Sequence, residues 1–101
     1  MLFLQISKHY PESCPLHNEA VKKATVDLMA KMDQLLKKHG VEMIGGWNAP
    51  DDHSVVVVFD VPSLEVMRNF SMEPEVMIWS SYHTTEIKMV MTFEESMKMM
   101  S

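Results

Sequence analysis

Only one cysteine, Cys14, occurs in the 101 residues. An internal disulfide is therefore excluded, which leaves a structural thiol, a free thiol, a metal ligand or an intermolecular bridge. No run of lysine or arginine is long enough to follow a phosphate backbone. With 14 acidic against 9 basic residues and a formal charge of −5, nucleic acid is not an expected partner. The longest apolar stretch, SVVVVFDV at 54–61, is far too short to span a bilayer. The opening MLFLQISKHY lacks the basic start and the small-residue cleavage site of a secretory signal, so a cytoplasmic protein with no membrane partner is expected. Also missing are a glycine-rich phosphate loop, a His-Glu-x-x-His motif and a serine–histidine–aspartate context.

What is present describes one small domain over residues 1–101, with 47% hydrophobic and 23% charged residues, inside the range of chains that fold. Twelve methionines are many for this length, but most fall at apolar positions of periodic segments. A flexible thioether fills core gaps, and packing explains them better than a methionine copper site.

Periodicity gives the elements. MLFLQISKHY alternates, with Leu2, Leu4 and Ile6 on one face and Phe3, Gln5, Ser7 and His9 on the other, as in a strand. After a proline-marked loop, Val21, Ala24, Leu28, Met32, Leu35 and Leu36 recur at helical spacing over 18–39. Asn18 suits the N-cap, Lys37, Lys38 and His39 the negative end of the dipole, and Gly40 the stop. VEMIGGWN and HSVVVVFDV read as an antiparallel hairpin joined by APDD. PSLEVMRNFSM has Leu64, Met67 and Phe70 at helical spacing. EVMIWSSY is ambiguous between a helical turn and extended chain, and TTEIKMVMT alternates as a fourth strand. Thr92 with Glu95 three residues on forms a capping box for a short closing helix.

The order β-α-β-β-α-β plus a tail helix is the α+β, ferredoxin-like arrangement with a four-stranded antiparallel sheet. Helices on one face of such a sheet leave the other uncovered. A homodimer packed sheet against sheet would bury that face and enclose a pocket.

These segments, from MLFLQIS through VEMIGGWNAPDDHSVVVVFDVPSLEVM to TTEIKMVM, resemble the dimeric α/β-barrel superfamily. That group includes antibiotic-biosynthesis and haem-degrading monooxygenases, muconolactone isomerases and stress-responsive barrel proteins. GGWN before a valine-rich strand, then DVPSLEVM and IWSSY, is similar to an uncharacterised branch of it. The loop ESCPLHN resembles a Cys-Pro-x-His turn of small archaeal and bacterial proteins. The resemblance implies a dimeric barrel, and a nickel-binding member of the wider group adds weight to a metal reading.

Candidate chemistry gathers before the long helix. Cys14 and His17 stand three positions apart across a turn, His9 ends the first strand, and His83 begins the last, which this topology lays beside the first. Convergence of His9, Cys14, His17 and His83 at one rim would give a nitrogen and sulfur site suited to zinc, nickel or copper. The ordinary alternative is that His17 helps cap the helix. Cys14, near the helix N-terminus and His17, is also a candidate nucleophile or redox thiol. Gln5, Ser7 and His9 are polar on a strand face expected to line the barrel, and point to a polar pocket walled by Trp47, Trp79 and Tyr82. Large aromatics are, however, more often core or interface residues. His53 beside Asp51 and Asp52 is explained by turn chemistry, and Glu94 and Glu95 by helix capping. The leading expectation is a homodimer that binds a transition metal or small ligand at the barrel rim. The rivals are a cofactor-independent monooxygenase or isomerase using His9 or His83 for proton transfer, and a structural or regulatory subunit.

Overall fold

Alternation in the first residues becomes strand β1, Leu2–Lys8, the centre of the architecture in a computed structural model that describes residues 1–101. The chain continues through α1 (Glu19–His39), β2 (Glu42–Ala49), β3 (Ser54–Asp60), α2 (Leu64–Ser71), α3 (Pro74–Ser80), β4 (Thr84–Val90) and α4 (Phe93–Met100). Short 3-10 turns at Pro11–Ser13 and Pro50–Asp52 lead into the first helix and join the hairpin. The four strands form one sheet in the order β2-β3-β1-β4, and every neighbouring pair is antiparallel. This is the expected ferredoxin-like α+β fold. The ambiguous segment EVMIWSSY is helix through Ser80, with Ser81 and Tyr82 in the turn beyond: Pro74 opens α3, where its missing N–H costs nothing.

Local chemistry fixes the long helix. The Asn18 side chain accepts from the Ala20 and Val21 amides at 3.0 and 3.2 Å, and Gly40 closes the helix in the left-handed region at φ 66°. Val21, Ala24, Leu28 and Leu35 form its buried stripe.

Phe3 on β1 and Phe59 on β3 pair across the sheet and join Leu28, Leu35, Met67, Phe70 and Trp79 from the helices in one core. That packing decides which sheet face is which. Phe3, Gln5, Ser7 and His9 share a side by alternation, so their face lies under the helices, not toward a barrel interior as the sequence led us to expect. Leu2, Leu4 and Ile6 point the other way, beside Val58 and Val56, onto the face that no helix covers. Trp47 is 59% exposed on that uncovered face, with its ring over Gly45, where a β-carbon would come within 2.6 Å of it.

Candidate metal centre

Three histidines meet in a row at the Lys8 end of the sheet. Lys8 pairs with Ser54 on β3 and with Thr84 on β4, so the next residue out, His9, lies between His53 and His83. The His9 amide donates to the His53 carbonyl at 3.1 Å and continues the ladder by one rung. Ring centroids are 5.2 Å apart for His9 and His53 and 5.4 Å for His9 and His83, both edge to face. The His9 Nε2 and His53 Nδ1 atoms approach to 3.3 Å.

Cys14 reaches the same place from the proline loop. Its carbonyl accepts from the His17 and Asn18 amides at 2.9 and 2.8 Å, and the Asn18 side chain donates to the Glu12 carbonyl at 3.1 Å. The tight turn buries Cys14 while leaving Leu16 and His17 exposed. One donor atom each from His9, Cys14 and His53 lies within 4.8 Å of the others. The structure thus brings His9 and Cys14 together as expected, but the third member is His53, a residue that sequence reasoning assigns to turn chemistry. His17 is outside the group. His83 stands beside His9 as an outer neighbour: its Nδ1 donates to the Trp79 carbonyl at 2.8 Å and its ring stacks on Trp79 at 3.7 Å.

Burial lowers the proton affinity of two imidazoles of the row, those of His9 and His83. His9 is held below the ordinary histidine range first by burial and then by the nearby His53, which favours a neutral, donor-competent ring. His83 is also lowered, by burial, with the Trp79 carbonyl opposing and His9 adding to the effect. Nδ1 of His9 is buried without a hydrogen-bond partner in the protein, an arrangement that costs about 1–3 kcal/mol where nothing satisfies it.

The remaining polar-pocket candidates do not form one wall. Gln5 donates to Ser7 at 3.3 Å, and Ser7 shares a 3.1 Å hydrogen bond with Thr85, so both are satisfied beneath the helices. Trp79 is core, Tyr82 is half-buried in the turn after α3, and Trp47 is on the opposite sheet face. Surface concavities of about 310 and 460 Å³ lie near Met1 and Asp60, at the other end of β1 from the histidines.

No helix is long and apolar enough to cross a membrane. No curated protein matches the chain. Among solved structures, an uncharacterized NIPSNAP domain protein from Burkholderia xenovorans is similar, with a TM-score of 0.51 at 9% identity, covering 92% of this chain and 97% of that one. At such identity the likeness is one of fold. A family model described as "Domain of unknown function (DUF3303)" matches residues 1–101, and the chain belongs to that family.

Proposed function

We propose that this protein binds one transition-metal ion at the end of the sheet through His9, Cys14 and His53. The observation that carries the reading is the approach of three nitrogen and sulfur donors from separate parts of the chain to within 4.8 Å. Two nitrogens bound at 2.0–2.1 Å to one ion stand roughly 3.3–3.6 Å apart for angles between tetrahedral and trigonal. The 3.3 Å separation of His9 Nε2 and His53 Nδ1 falls at the lower edge of that interval. A backbone detail adds support: His53 adopts φ 50°, the one non-glycine residue with positive φ, and such strain concentrates where geometry serves a site.

The uncovered sheet face supports a homodimer as the working form. Leu2, Leu4, Ile6, Val56 and Val58 line it, and a contiguous apolar face of this kind ordinarily marks an interface.

Elemental analysis of protein purified without a tag or chelator tests the metal reading. About one transition-metal ion per chain, lost in Cys14→Ala and in His53→Gly and kept in His17→Ala, is the expected result. Metal-free protein that also takes up none on titration overturns it. A cofactor-independent oxygenase or isomerase would use the same His9 ring, through its unpartnered Nδ1, as its proton-transfer group, and differs by keeping turnover in chelator.

A further inference from the structure

We infer that the His9, Cys14 and His53 group takes monovalent copper in preference to a divalent ion, an inference that rests on the metal-binding reading above. Two imidazoles and a thiolate are soft to intermediate donors that suit cuprous ion as well as zinc, so donor type alone does not choose. Charge does. One thiolate cancels the single charge of Cu⁺ and leaves a neutral centre, whereas Zn²⁺ or Ni²⁺ on the same donors leaves a net positive charge. Cys14 is only 6% exposed and Nδ1 of His9 is buried, while the His9 and His53 side chains are half-buried, so water screens that charge less than it would at an open surface. No carboxylate belongs to the three-donor group. Asp52, next to His53 in the turn, is already engaged by the Lys8 ammonium at 3.2 Å and by the Ser54 hydroxyl at 3.2 Å.

Coordination number points the same way. Zinc needs a fourth donor to complete its tetrahedron, which here would have to be water, whereas cuprous ion is satisfied by three donors. Neither nearby histidine supplies a fourth. His17 is exposed, and the stack on Trp79 together with the bond to its carbonyl holds His83 outside the group.

The test is anaerobic titration of the full chain with cuprous ion buffered by a chromophoric chelator, followed by challenge with a roughly 100-fold excess of Zn²⁺ and X-ray absorption of the bound metal. The expected result is one Cu⁺ per chain that zinc does not displace, in a three-coordinate site of one sulfur and two nitrogens. Cys14→Ser is expected to weaken cuprous binding by more than the ~10–100-fold that loss of a ligand's own hydrogen-bond partner costs. His53→Gly serves as the companion variant, because glycine is at ease in the left-handed backbone of that position and the protein should remain folded. Displacement of copper by zinc, or a four-coordinate copper site, overturns the preference and leaves the metal-binding reading standing. Cuprous affinity unchanged in Cys14→Ser overturns it too, and failure of both metals to bind overturns both readings.

Discussion

His53 shows how a single residue can be poorly chosen for its turn and well placed for a site. An L-residue in the left-handed region gives up about 1–2 kcal/mol, part of which glycine recovers at the cost of its own chain entropy. His53→Gly is accordingly expected to leave the fold as stable or up to ~1 kcal/mol more stable in urea denaturation, while metal retention falls. A clear loss of stability would mean that the ring's packing against His9 outweighs the backbone strain. A pH effect follows from the same row. His9 and His83 have folded-state values below 6.5, so the unfolded chain binds more protons just under that pH. Their contribution is complete above about pH 6.5 and is lost as pH falls through the lowered folded values. The urea midpoint of metal-free protein should therefore drop between pH 7.5 and 5.5, and drop less in His83→Asn. Glu73, held low by Lys38 and then His39, titrates further down and does not confuse that interval. At this scale His9 and Cys14 were legible, because soft donors clustered beside a strand end. His53 was not, since Pro-Asp-Asp supplies a sufficient turn explanation; only the pairing of Lys8 with Ser54 places it opposite His9. The remaining signal was the absence of glycine or asparagine at the left-handed position.

Among the elements, α1 was readable because 21 residues carry both caps and a continuous apolar stripe. Asn18 satisfies two amides at once and also ties the cysteine loop to the helix. Asn18→Ala should cost about 1 kcal/mol of stability, with a lower urea midpoint and unchanged slope. No change would show that water caps the helix equally well. The segment 75–82 was unreadable for a physical reason. The seven residues of α3, Pro74–Ser80, make barely two turns, too few for a period to emerge, and burial of Trp79 against the core settles the outcome through tertiary contact. Alternation in β1 gave the two faces but not their assignment. Three polar residues marked one face as the ligand side, whereas a single buried Phe3 anchors it to the helices.

For the whole molecule, the uncovered sheet face is the largest unspent resource. In the proposed homodimer, burial of its aliphatic residues between two copies would contribute roughly 25 cal/mol per Å² removed from water, the scale of a stable dimer once an interface reaches the standard ~1,600 Å². Ile6→Asp should yield a monomer by sedimentation velocity while far-ultraviolet circular dichroism is unchanged. A wild-type chain that already sediments as a monomer would refute sheet-to-sheet pairing. The edge strand β4 has a different consequence. It is bonded to β1 alone, and Ile87 and Met89 remain exposed although they face the helix side. The helix α4 beyond it has no buried residue. Such a margin opens by itself at low free energy, so amide hydrogens of β4 should exchange with deuterium well before those of β1 and β3. Because His83 is the first residue ahead of that strand, peeling of β4 would uncover the flank of the histidine row without unfolding the rest, and so widen access to the half-buried His9 of the proposed centre.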